Sequence, residues 1–164
     1  EKRFEPHVLT IRTGTVVDFP NLDPIFHNAF SNFSGQIFDV GLYKPGSSRA
    51  VAFNRPGVVR VFCNIHSAMS AVMVVVDTPW FGSTAADGAF RITGVPPGDY
   101  RLRVFHERAM PAELEKAERT ISVTEESASI APITISESGW LPAPHLNKHG
   151  RAYGPDNDSY RGPR

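Results

Sequence analysis

The run Val58-Val59-Arg60-Val61-Phe62-Cys63-Asn64-Ile65-His66-Ser67-Ala68-Met69-Ser70-Ala71-Val72-Met73-Val74-Val75-Val76 decides the fold. Its opening, Val58 to Phe62, is β-branched or aromatic at all but one position, which suits a pleated, half-buried strand. Its close, Ala71 to Val76, is a continuous apolar run of a length that fits a buried strand. Between them Cys63 to Met69 forms a short polar loop. The same texture extends outward. Val8 to Arg12, Thr15 to Phe19 and Ala50 to Phe53 are short runs of the same kind, each bounded by Gly, Pro or Asn, which interrupt strands for backbone reasons. Many short strands with little helical signal predict an all-β sandwich or barrel over residues 1–76.

After Val76 the sequence Asp77-Thr78-Pro79 interrupts the ladder, and a second set of signals covers 77–137. Asp87-Gly88 reads as a hairpin-type turn before Ala89 to Thr93. Gly94-Val95-Pro96-Pro97-Gly98 is another turn leading into Tyr100 to Phe105, and Thr120 to Thr124 and Ile130 to Ile135 read as further strands. Only Ala112 to Glu118 has helical composition, with Pro111 suited to a first helical turn. From Ser138 the chain becomes polar and rich in Pro and Gly. Residues 138–164 therefore read as an extended tail, anchored by Trp140, Tyr153 and Tyr160.

Composition narrows the function. The 164 residues carry 17 basic and 17 acidic side chains, distributed as +2 over 1–76, −4 over 77–137 and +2 over 138–164. No basic stripe argues for nucleic acid, and no apolar run approaches the roughly 18–20 residues that span a bilayer. The chain begins at Glu1 with no leader-like segment, so it reads as a processed or trimmed fragment. Gly-x-Ser-x-Gly, phosphate-binding glycine loops and His-Glu-x-x-His are all absent from the sequence.

The chemistry concentrates in the short loop. Cys63, His66 and Met69 place a thiolate, an imidazole and a thioether within seven residues. Taken singly, each has an ordinary structural role, a buried thiol, a hydrogen-bonded imidazole or a core gap-filler. Taken together they are a soft donor set that favours copper in both oxidation states, and a second imidazole would complete a His-His-Cys plane with a weak axial Met. His27, expected in a similar loop after a strand, supplies it. Zinc also accepts Cys and His but gains little from a thioether, and iron–sulfur centres call for more cysteines than the single Cys63. His7, His106, His145 and His149 are not spaced as a second site, Pro144 to His149 reads as a structural tail, and Met73 as core.

These residues carry a resemblance. The run Gly14-Thr15-Val16-Val17-Asp18-Phe19-Pro20-Asn21, with Asp23, His27-Asn28, Phe38-Asp39, Gly41-Leu42-Tyr43, Pro56-Gly57 and the loop from Cys63 to Met69, resembles the cupredoxins, and closely a bacterial plastocyanin-like group often labelled methylamine utilization protein. The likeness covers residues 4–80. It implies a Greek-key β-sandwich with one type 1 (blue) copper ion cycling between Cu(I) and Cu(II), His27, Cys63, His66 and Met69 as ligands, and Asn28 tying the ligand loops together. The short spacing is similar to that of amicyanin, although amicyanin-type loops commonly carry proline between the second His and Met, where Ser67 and Ala68 stand here. Over 77–137, Thr78-Pro79-Trp80-Phe81, Ala86 to Ile92 and Val95 to Leu102 look like a small carboxypeptidase-regulatory or transthyretin-like β-sandwich, a scaffold that implies no activity.

The resemblance implies a non-catalytic one-electron carrier, periplasmic or secreted, that meets redox protein partners transiently. Electrons would pass at an exposed edge of His66, inside an apolar docking patch of Pro24, Ile25, Phe26, Ile65 and Ala68. A copper-binding sensor, carrier or interaction module with the same site is the alternative. An oxidase or nitrite-reductase subunit would need a further His-rich centre with His-x-His pairs, and the sequence has none.

Overall fold

A computed structural model describes residues 2–32, 35–126, 129–142 and 144–154. The chain divides into two compact units, Glu1–Phe81 with Pro144–Arg164, and Gly82–Ala143.

The first unit is a β-sandwich. Its larger sheet has five strands in the order β1 (Val8–Arg12), β7 (Ser70–Val76), β6 (Gly57–Phe62), β3 (His27–Ser31) and β4 (Phe38–Tyr43). β1 runs parallel to β7, pairing Val8 with Val72, whereas β6 and β7 are antiparallel with Phe62 opposite Ser70. The smaller sheet pairs β2 (Thr15–Pro20) with β5 (Ser48–Phe53). Gly14, between β1 and β2, turns the chain from one sheet to the other with φ at +88°, where a side chain would be strained.

Alternation explains the packing. Phe19, Val51 and Phe53 of the small sheet interdigitate with Ile11, Ala29, Tyr43, Val59, Val61, Ala71, Met73 and Val75 of the large one in a single core cluster. Met73 is thus core, as its place in an apolar run implies. Phe30 and Phe62 are equally buried but lie outside that cluster, packed on each other at 5.9 Å.

Two strands escape the sequence reading. β4 contains Gly41 at φ +71° and a carboxylate, Asp39, and so lacks the strand signature. β3 opens with His27, which belongs to the strand and not to a loop, and all five of its residues are buried, so it shows no alternation. The register shifts between Asn28 and Phe30, where the single Ala29 opposes Val40 and Gly41, so β4 bulges close to His27.

Among its described residues the second unit has one two-stranded sheet, β8 (Gly98–Leu102) with β9 (Arg119–Val123), and one helix, α1 (Pro111–Ala117), with Pro at its start as expected. The small transthyretin-like sandwich is not shown. Ala89 to Thr93 and Ile130 to Ile135 are in no ladder. In the latter, Pro132 has no N–H to donate, and the carbonyls of Ala131 and Pro132 are taken by the Arg119 guanidinium at 3.2 and 3.3 Å. Trp140 falls in this unit, Tyr153 in the first, and Tyr160 outside the described residues.

Candidate metal centre

Strand pairing brings the two halves of the site together. β3 lies next to β6, with Phe30 opposite Phe62, so the start of β3 and the loop leaving β6 share one end of the sheet. That loop closes tightly: the Met69 N–H bonds to the His66 carbonyl at 3.1 Å, and the Cys63 N–H to the Met69 carbonyl at 3.0 Å.

Three donors converge there. His27 Nδ1 lies 3.2 Å from His66 Nδ1, and Cys63 Sγ lies 3.6 Å from His66 Nδ1. All three ligand atoms fall within 4.8 Å of one another. An ion about 2.0–2.3 Å from each donor in a trigonal plane would hold them roughly 3.5–4 Å apart. The observed spacing is near that, and two imidazoles with a thiol are a chemically suitable set, so the residues fit a soft or borderline metal ion.

The surroundings prepare each donor. His27 Nε2 meets Asp23 Oδ2 at 2.9 Å, a pairing that places the ring proton on Nε2 and turns the Nδ1 lone pair toward His66 and Cys63. Burial pushes the Cys63 thiol up from its ordinary range, against the pull of the backbone N–H groups of Ile65, Asn28 and His66. Those amides are placed to stabilise a thiolate once a cation compensates it. Burial, reinforced by the nearby Cys63 charge, also pushes the Tyr43 and Tyr153 hydroxyls up to about 12, so both remain protonated donors at neutral pH.

Asn28, with no exposed surface, links the loops. Its Oδ1 accepts from the Asn64 N–H at 3.2 Å, while its Nδ2 donates to Asp39 Oδ1 at 2.7 Å and to the Gly41 carbonyl at 3.0 Å. Burial opposes ionisation of Asp39, but hydrogen bonds from Lys148, Gly41 and Asn28 outweigh it and hold that carboxyl below its usual range.

Met69 is buried on the same loop. His66 is only 4% exposed, so the expected solvent-facing imidazole edge is not found. In the expected docking group Pro24 and Ala68 are exposed, and Ile25, Phe26 and Ile65 are half-buried. Two features went unread in the sequence. Asp23 stands four residues before His27, an orienting role that spacing alone does not distinguish from a turn residue. Lys148 and His145 reach the loop from the tail, 84 and 78 residues beyond their partners Asn64 and Ser67, and no local pattern signals that. His145 Nε2 donates to the Ser67 carbonyl at 2.7 Å, and its Nδ1 lies 3.2 Å from Tyr153 Oη, in keeping with a structural tail.

No protein-family model matches the sequence, and no curated protein is similar to it. Among solved structures the chain is similar to a copper-containing nitrite reductase (NirK) from Thermus scotoductus SA-01, at 28% identity and a TM-score of 0.44, over 46% of this chain and 20% of that one. It thus spans a fifth of the reductase's length. It is also similar to a purple cupredoxin from Nitrosopumilus maritimus, at 27% identity and a TM-score of 0.40, over 43% of this chain and 79% of the other. A reduced amicyanin variant is similar at 19% identity and a TM-score of 0.43, over 45% and 73% of the two chains.

Proposed function

We propose that the chain is a one-electron carrier with a single type 1 copper site, held by His27, Cys63 and His66 with Met69 as the weak axial ligand. The observation that supports this most directly is the convergence of three buried donors at 3.2 and 3.6 Å, with a carboxylate already fixing the tautomer of one of them. When bound, the ion would supply a Cu(I)/Cu(II) couple. The protein's part is to hold the donors in one arrangement acceptable to both states. The β3–β6 pairing, Asn28 and the loop closure do that, and burial keeps water and foreign ligands away.

On this reading residues 1–76 form the copper domain and 77–137 an accessory domain without catalytic activity, followed by the tail 138–164. Partners dock transiently on the apolar group of Pro24, Ile25, Phe26, Ile65 and Ala68, which Leu22, 90% exposed, extends. A periplasmic or secreted location suits a copper thiolate site. The burial of His66 favours one further reading, a copper-binding sensor or carrier module in which occupancy matters and electron flow does not. Slow redox cycling with easy copper release would mark that module, whereas rapid reversible cycling marks the carrier.

The test is spectroscopic. Cu(II)-loaded protein should be intensely coloured by thiolate-to-copper charge transfer and show narrow copper hyperfine splitting. Cys63→Ser should abolish the colour while leaving the far-ultraviolet circular dichroism of the sandwich unchanged. A pale, tetragonal spectrum from the unaltered protein would overturn the assignment.

A further inference from the structure

The stretch 144–154, which composition marks as a tail, runs along the ligand loop and completes its hydrogen bonding. The Tyr153 hydroxyl donates to the Cys63 carbonyl at 2.8 Å, and His145 Nε2 to the Ser67 carbonyl at 2.7 Å. The inward groups of the loop are used in its own closure, through the Cys63 and Met69 amides. The carbonyls of Cys63 and Ser67, on either side of His66, are therefore satisfied from outside by these two side chains. The His145 ring also stacks on Phe62, the residue before Cys63, at 4.0 Å and 23°, and Tyr153 meets it edge-on at 5.1 Å.

Lys148 closes a circuit with the same loop. Its backbone N–H donates to Asn64 Oδ1 at 2.9 Å, and its Nζ pairs with Asp39 Oδ2 at 2.7 Å. Asn28 joins the two ends, bonding both the Asn64 N–H and Asp39 Oδ1. Four residues from β3, β4, the ligand loop and the tail thus form a closed ring of hydrogen bonds beside His27 and Cys63. The segment that supplies Lys148 is itself preorganised. Asn147 Oδ1 accepts from the N–H groups of His149 and Arg151, while backbone bonds join Asn147 to Arg151 and Gly150, the latter at φ +71°. A segment with its own turn loses less entropy when it docks than a free coil does.

We infer that 144–154 is a strap belonging to the metal centre, in which Tyr153 and His145 are positioning residues for the loop that carries Cys63 and His66. The strap holds the loop closed whether or not an ion is present, so that the donors need little movement to bind one. This rests on the metal reading of the site, but its first test does not require metal.

In the metal-free full-length protein a small aromatic disulfide reagent should reach the buried Cys63 only when the loop opens. Each neutral hydrogen bond removed should raise the labelling rate about fivefold. Tyr153→Phe, which deletes one oxygen and keeps the ring, should show that increase, and Tyr153→Phe with His145→Ala at least 20-fold, while the far-ultraviolet circular dichroism of the sandwich stays that of the unaltered protein. In the copper-loaded form the same variants should shift the charge-transfer maximum and the reduction potential and speed copper loss to a chelator. A merely structural tail would leave the maximum and the potential in place. Labelling rates within twofold of the unaltered protein in the double variant would overturn the strap. If the unaltered protein takes up no copper, the copper assignment fails while the labelling kinetics still decide whether the strap closes the loop.

Discussion

Asn28 is where the fold and the site are most tightly joined, and its removal has a magnitude that follows from its three hydrogen bonds. Asn28→Ala would strand the Gly41 carbonyl and the Asn64 N–H at about 1 kcal/mol each, and remove a charge-assisted bond to Asp39 of about 2 kcal/mol. Asp39 keeps its bonds from the Gly41 N–H and from Lys148, which lowers the total to about 3 kcal/mol. At a slope of about 2 kcal/mol per molar urea, this shifts the midpoint of the first unit's unfolding by roughly 1.5 M. The readout is urea titration followed by circular dichroism. A shift smaller than about 0.3 M would mean that water replaces Asn28 without penalty, and that the closed ring of hydrogen bonds is not a cooperative element.

A second substitution separates charge from packing. Asn28→Asp keeps the shape and the acceptor for Asn64, but sets a carboxylate oxygen where the amide nitrogen stands 2.7 Å from Asp39 Oδ1. Two carboxylates at that distance cannot both ionise, so the pair's upper pKa is raised in the folded state above the unfolded value near 4. Between those two values the folded state binds the extra proton, so stability falls as pH rises through the window. Asn28→Asp should therefore be tolerated near pH 4 and become more damaging than Asn28→Ala above pH 7. A loss independent of pH would refute the like-charge argument.

Two further predictions concern the loop and its surroundings. Met69→Leu should keep the blue colour and raise the reduction potential, because losing the thioether favours Cu(I), whereas Met69→Gln should lower it; voltammetry giving unchanged potentials in both would reduce Met69 to packing. Ile25→Lys, at a half-buried position, and Ala68→Glu, at an exposed one, should slow electron exchange with a redox partner by tenfold or more and leave the absorption spectrum intact; stopped-flow rates equal to those of the unaltered protein would place docking elsewhere.

The legibility of this molecule in its sequence follows the locality of each interaction. β1, β2, β5, β6 and β7 announce themselves because each presents one face to a shared core, and the spacing of Cys63, His66 and Met69 carries its chemistry within one loop. β3 is hidden because both its faces are covered, so Asn28 and Ser31 are as buried as Ala29 and Phe30 and no period remains. β4 is hidden because Gly41, which lies in the bulge, and Asp39, which with Gly41 anchors Asn28, are poor strand formers. In the second unit the opposite error arises. Alternating apolar residues such as those of Ile130 to Ile135 satisfy the strand pattern, but Pro132 and the Arg119 contacts remove the ladder that the pattern assumes.

The same reasoning explains how the three donors come to be held together. A histidine pair 3.2 Å apart beside a thiol is a costly arrangement in a protein interior unless the surrounding groups are fixed for another reason. Here they are. Asp23 sets one imidazole, the backbone amides of Ile65, Asn28 and His66 face the sulfur, and Asn28 ties Asn64 to β4. Asn28 is anchored in the sandwich, bonded to β4 through Asp39 and Gly41, so stability of the fold is converted into stiffness of the donors. Stiff donors disfavour ions that demand a different geometry and limit the rearrangement that accompanies a change of charge. The burial of His66 then has a consequence for electron transfer. On the carrier proposal, a ring only 4% exposed would leave the exposed Pro24 and Ala68 and the half-buried Ile65 as the groups that a partner meets first, and their chemistry would then set which partner is accepted.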